Sequence, residues 1–181
     1  MNIIFRLLDI QKYVGKLAGN IEKVGWYDAN LQYITDIGIR VSADLENFPK
    51  KGGALVYANH LTGLDPFLLS SILGRDDVYF LSDNYHAGKG NRVQEHMISI
   101  YYSSWKELLY RSGLSFFGFI FMRLNTGFTP REEAKKKNIQ AVETAVEHLS
   151  KGHVVLVFPS GGNKEKSPWK KGIGEDRKSV V

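Results

Sequence analysis

The sequence predicts an α/β fold, a single domain with a largely parallel central sheet flanked by helices. Two apolar runs read as strands: GALVYA at 53–58, short and β-rich, and HVVLVF at 153–158, continuous as in a buried central strand. Helix-like stretches separate them, as crossovers between parallel strands require. Each run also opens directly into an unusual polar loop, and in open α/β sheets ligands bind beyond the carboxyl ends of the strands.

Taken in order, Ile3, Ile4, Leu7, Leu8, Ile10, Val14 and Leu17 recur at near-helical spacing, with Arg6, Asp9, Lys12 and Lys16 between them. This predicts an amphipathic helix within an N-terminal segment, residues 1–34, that either packs on the core or lies on a membrane surface. Gly38 to Val41 reads as a strand, separated from the strand at 53–58 by the turn-prone Pro49-Lys50-Lys51-Gly52-Gly53. Asp65-Pro66, then Phe67, Leu68, Leu69, Ile72 and Leu73, then Gly74, predicts a helix with Asp65 at its N-cap and Gly74 just past its end. Val78 to Leu81 predicts another strand, whereas the mixed pattern from Arg92 to Trp105 specifies no single element. Thr129-Pro130-Arg131-Glu132 has the form of a capping box. The helix it opens has Ile139, Val142, Val146 and Leu149 as its expected apolar face and ends before Gly152.

Composition narrows the classes. A chain of 181 residues, 43% hydrophobic, can fill one core. The net charge is +5, and from Lys164 to Lys178 six Lys or Arg face three acids. That excess suits an anionic partner such as phosphate, coenzyme A, an acidic carrier protein or an anionic membrane surface. Nucleic acid is not expected, since no zinc spacing, recognition-helix pattern or aromatic RNA-binding signature accompanies the charge. The absence of cysteine excludes disulfides, a thiolate nucleophile and Cys-ligated metals. Residues 1–8 contain Arg6 and lack both a sustained apolar core and a small-residue cleavage site, so a cytoplasmic location is expected, peripheral on the membrane surface if the first helix binds lipid. The most apolar stretch, 108–124, is interrupted by Arg111, Gly113, Gly118 and Arg123 before it reaches the roughly 18 residues that span a bilayer. It reads as a buried or interfacial helix.

The polar loop after the first of these runs is Asn59-His60-Leu61-Thr62-Gly63-Leu64-Asp65-Pro66. A tight turn can bring His60 and Asp65 together, so that the carboxylate fixes one ring nitrogen and leaves the other as a base. Equally, Asp65 can be a plain N-cap and His60 a plain loop residue. The second loop, Ser160-Gly161-Gly162, is rich in small residues after a strand, an arrangement that exposes backbone N–H groups to an anion.

NHLTGLDP resembles the His-four-residues-Asp motif of the glycerol-3-phosphate and lysophosphatidate acyltransferase family, in which an Asn precedes the His and a Pro often follows the Asp. The lead-in from Gly38 to Val56, strand, basic turn and second strand, is similar to that family as well, and the likeness covers roughly residues 35–174, within an expected domain at 35–181. Gly118-Phe119-Ile120-Phe121-Met122-Arg123 is similar to the family's second motif, which implies that Arg123 contacts the acceptor's phosphate; a planar guanidinium suits that bidentate task. Phe158-Pro159-Ser160-Gly161-Gly162-Asn163 stands where the family usually has Phe-Pro-Glu-Gly-Thr-Arg. Phe158, Pro159 and Gly161 agree, and the Pro-Ser-Gly-Gly version resembles the soluble plastid-type glycerol-3-phosphate acyltransferases. The family's fourth motif, expected after Lys171-Gly172-Ile173-Gly174, is not found, so the domain is expected to lack its C-terminal part.

The resemblance implies acyl transfer from an acyl-CoA or acyl-carrier-protein thioester to a hydroxyl of a phosphate-bearing lipid acceptor. His60 and Asp65 would be catalytic, and Arg123, Ser160, Gly161, Gly162 and Lys164 would bind substrate, with Lys166 or Lys170 in support. It calls for no metal and no cofactor beyond the thioester co-substrate. Two other readings stand beside it: a non-catalytic acyl- or phospholipid-binding protein of the same fold, and a Ser160-dependent hydrolase. The hydrolase lacks the Gly-x-Ser-x-Gly elbow, because position 158 is Phe158.

Overall fold

The structure, a computed structural model, describes residues 15–60, 62–83, 92–101 and 129–159. Helix α1 occupies residues 15–24, and α2 runs from Trp26 to Asp36. Strand β1 (Ala54–Tyr57) leads through the His60 loop into α3 (Asp65–Leu73) and then β2 (Val78–Asp83). A 3-10 turn (Arg92–His96) feeds β3 (Met97–Ile100), and α4 (Arg131–Ser150) returns to β4 (Val154–Val157). All pairings are parallel in the order β1-β4-β2-β3, with Leu55 opposite Val155 and Phe80 opposite Leu156. The fold is therefore the α/β architecture that the alternation of apolar runs and helices implies.

Because β4 lies inside the sheet, both of its faces must be apolar, and Val154, Val155 and Leu156 are fully buried. Val154 and Leu156 join Val78, Phe80 and residues of α1, α2 and α3 in one core. Val155 points the other way, to Ile98 and to Ala141 of α4. Helices thus cover both faces of one sheet.

Several expectations are corrected. Gly38–Val41 is not a strand: it pairs with no strand among the described residues, and Ile39 and Val41 remain exposed. Without a neighbouring ladder, a β-rich composition does not make a strand. The unassigned stretch after Arg92 contains β3, whose four residues form an edge strand too short to register as a period-2 pattern. Helix α4 begins where expected, but Pro130 stands at its N-cap and no side chain caps it, so the capping box does not form.

Its buried face also differs. Ala134 and Ala141 are buried and Ala145 and Leu149 pack beside them, while Ile139, Val142 and Val146 are 53–58% exposed. Small side chains let the helix backbone approach the sheet. Asn138 fixes its rotation by bonding both the N–H (2.7 Å) and the carbonyl (2.9 Å) of Tyr101, after β3. Of the four residues expected on the core face, Leu149 alone packs on the sheet.

At the amino ends of the strands, buried Arg75 ties separate segments together. Its guanidinium pairs with Asp77 and donates to the carbonyls of Pro49 (3.1 Å), Gly52 (2.8 Å) and Gly152 (2.6 Å). The hydrogen bonds to Asp77 raise the guanidinium's pKa further and hold the carboxyl of Asp77 below its usual range. Nearby, a Cβ on Gly53 would collide with the carbonyl of Leu149. Gly74, just past α3, adopts φ 67, a left-handed geometry open to glycine at little cost. Gly74→Ala is expected to cost about 1 kcal/mol, seen as a lower urea midpoint at unchanged slope.

Two histidines make this end sensitive to acid. The ring of His148 lies 3.5 Å from that of Tyr79, and its Nδ1 sits 3.0 Å from Nδ1 of His153. Burial, and then the charge His153 would carry, push the pKa of His148 down. Burial does the same to His96, against a hydrogen bond of its Nδ1–H to the Val78 carbonyl. A folded-state pKa below the unfolded one, near 6.5 for histidine, means that the unfolded chain takes up protons first as pH falls. Stability is therefore full above that value and declines as pH drops through it. Melting temperature is expected to be lower at about pH 5.5 than at about pH 7.5, and His148→Gln should shrink the difference.

Candidate active site

The site begins at the adjoining carboxyl ends of β1 and β4. The N–H of Ala58 still donates to the carbonyl of Val157 (3.1 Å), so the two strands stay paired to the point where their loops diverge. One loop carries His60. The other starts with Phe158, which is nearly buried, and its ring lies 4.7 Å from that of His60 at an interplanar angle of 32°.

Nδ1–H of His60 donates to Oδ2 of Asp65 at 2.9 Å, with the two side chains only 23% and 13% exposed. Asp65 is the first residue of α3, Leu64 holds the N-cap position, and no side chain caps the helix. This corrects the N-cap expectation for Asp65: the carboxylate turns back into the loop rather than onto the helix amides. It also accepts from the N–H of Thr62 at Oδ2 (2.8 Å) and from the hydroxyl of Thr62 at Oδ1 (2.8 Å). With the proton on Nδ1 committed to the carboxylate, Nε2 is the ring position left with a lone pair. A partly shielded imidazole oriented in this way can accept a proton from a bound hydroxyl and return it.

Two contributors escaped the sequence reading. Thr62 fell inside a quoted motif with no role, although a hydroxyl residue three positions before an aspartate in a tight turn is a recognisable side-chain clamp. Phe158 counted as a motif letter, while in space it is the surface against which the imidazole rests. Arg123, Ser160, Gly161, Gly162, Lys164, Lys166 and Lys170 lie outside the described residues, as do the first turns expected for the N-terminal helix. A cavity of about 390 Å³ lies by Trp26, Asp76, Arg92 and His96, at the opposite end of the sheet from His60. Among the described residues no three His, Asp or Glu side chains gather to hold a metal ion. Among them, too, no helix is long and apolar enough to cross a membrane.

A parallel sheet with helices on both faces, presenting a hydrogen-bonded His–Asp pair at its carboxyl edge, belongs to the α/β class of proteins with a built polar site at the strand ends. Within that class the chain belongs to the acyltransferase family: the family's pattern, described as Acyltransferase, matches residues 39–176. The match spans all four strands and the His60–Asp65 loop. Membership brings acyl transfer as the general class of reaction. No curated protein and no solved structure matches the chain.

Proposed function

We propose that this protein transfers a fatty acyl group from an acyl-CoA or acyl-carrier-protein thioester to a hydroxyl of a glycerol-phosphate or lysophospholipid-type acceptor, with His60 as general base. The observation that carries this reading is the 2.9 Å bond between His60 and Asp65 at the carboxyl edge of a parallel sheet. Nε2 of His60 removes the acceptor's hydroxyl proton as that oxygen attacks the thioester carbonyl carbon. The tetrahedral intermediate then collapses, the carbon–sulfur bond breaks, and the imidazolium returns the proton to the departing thiolate. Ester and free thiol are the products, and the imidazole is restored. Asp65 holds the ring in the productive tautomer and supports the transient positive charge.

The pair needs no covalent acyl-enzyme, because the acceptor alcohol takes the place that a serine fills in a hydrolase triad. Arg123, with Lys164 and the Ser160-Gly161-Gly162 loop, is assigned to the acceptor's phosphate, a role that suits a guanidinium fork and exposed backbone N–H groups. The work is assigned to the cytoplasm, peripheral on a membrane surface if the first helix binds lipid.

Release of thiol from acyl-CoA and acyl carrier protein, followed with a thiol-reactive dye across a panel of glycerol phosphates and lysophospholipids, tests this. The protein has no cysteine and adds no background. Release that depends on a phosphate-bearing hydroxyl acceptor is expected; binding of acyl thioester without release under any acceptor would favour a non-catalytic lipid-binding role instead.

A further inference from the structure

We infer that Thr62 is the positioning residue of this site: by gripping both oxygens of Asp65 it sets the tautomer and the aim of His60. The inference rests on the acyl-transfer reading for its kinetic consequence only. Asp65 opens a helix, and a carboxylate there has a competing use, swinging onto the unpaired amides of the first turn. Thr62 prevents this from both sides. Its N–H binds Oδ2, the same oxygen that accepts from His60, and its hydroxyl binds Oδ1, each at 2.8 Å. With a donor fixed at each oxygen, the plane of the carboxylate can no longer rotate about its last torsion.

The hydroxyl itself is oriented. Its oxygen accepts from the N–H of Leu64 at 3.2 Å, which leaves its single proton to be directed at Asp65. The turn is closed by the N–H of Asp65, which donates to the Thr62 carbonyl at 3.3 Å. Every polar group of Thr62 therefore takes part in holding the loop or the carboxylate. Serine can reproduce all of these bonds. Valine preserves the shape and the backbone N–H but loses the bond to Oδ1 and the orientation of the hydroxyl.

Thr62→Val and Thr62→Ser in the full chain test the role with two readouts, ¹⁵N NMR of the His60 ring and steady-state kinetics. The unaltered protein is expected to carry its ring proton on Nδ1, and Thr62→Val to raise the share of the Nε2–H form. For Thr62→Val, kcat should fall about tenfold to a hundredfold, the scale set by groups that orient a functional histidine, with KM changed less than about threefold. Thr62→Ser should stay within about threefold in both. If Thr62→Val keeps the Nδ1–H form and full kcat, or loses only melting temperature, the residue merely closes a turn and the inference fails. It fails equally if Thr62→Ser behaves like Thr62→Val, or if the unaltered ring is protonated on Nε2. Should the unaltered protein transfer no acyl group while Thr62→Val still shifts the tautomer, the clamp stands and the acyl-transfer reading is what falls.

Discussion

Replacing His60 with alanine is expected to lower acyl transfer at least about a thousandfold, and adding Asp65→Asn to that variant is expected to cost nothing further. The two side chains act through one bond at 2.9 Å, so removing either leaves the other without a task. Asp65→Asn alone should lose on the order of 10³ to 10⁴ in kcat, because the carboxamide N–H₂ can donate to Nδ1 and leave the proton on Nε2, the position that must accept. Neither substitution should alter melting by more than a few degrees, since both side chains sit at a loop edge outside the two packed cores. Residual rates measured for the single and double variants under one set of substrate concentrations check this. Losses that multiply would mean that His60 and Asp65 do separate jobs.

Arg75→Ala is expected to give the largest loss of stability, about 1–3 kcal/mol, from removing the donor that serves three backbone carbonyls and the half-exposed carboxylate of Asp77. Three carbonyls from two turns, Pro49, Gly52 and Gly152, depend on this single guanidinium. Each turn leads into a neighbouring parallel strand, β1 or β4, so Arg75 joins the two strands at their amino ends. Domains are generally stable by only about 5–15 kcal/mol, so much of the folded population should disappear on mild denaturation. Arg75→Lys should restore only part of the difference, because an ammonium cannot serve a carboxylate and three carbonyls in one plane. Urea unfolding gives the stabilities. The folded fraction of Arg75→Ala should still transfer acyl groups near the normal rate, since Arg75 lies at the opposite end of the sheet from His60.

The parts of the fold that could be read from the sequence are those decided locally. HVVLVF is almost uniformly apolar because Val154, Val155 and Leu156 are buried in an interior strand, whereas GALVYA forms an edge strand whose Leu55 and Tyr57 stay over 40% exposed. The end of α3 was legible because glycine at 74 answers a backbone conformation. What escaped is decided by distant partners. The buried face of α4 follows from close approach by Ala134 and Ala141 and from the grip of Asn138 on Tyr101, whereas periodicity gave more weight to the larger Ile139, Val142 and Val146. Gly38–Val41 has strand composition but, among the described residues, no neighbour to pair with, and β3 is an edge of four residues. In the site, the spacing of His60 and Asp65 allowed a pair or a cap with equal ease. The choice was settled by Thr62, whose N–H and hydroxyl draw the carboxylate away from the helix.

The central claim is that the imidazole of His60 moves the proton in an acyl transfer, and mass spectrometry of the product ester tests it most directly. Purified full-length protein and its His60→Ala variant would be incubated with one acyl thioester and the preferred acceptor. Acylated acceptor in stoichiometric balance with free thiol, formed by the unaltered protein and reduced to the uncatalysed background by the variant, is the expected result. Equal amounts of ester from both proteins, or none from the unaltered one when correctly folded, would contradict it.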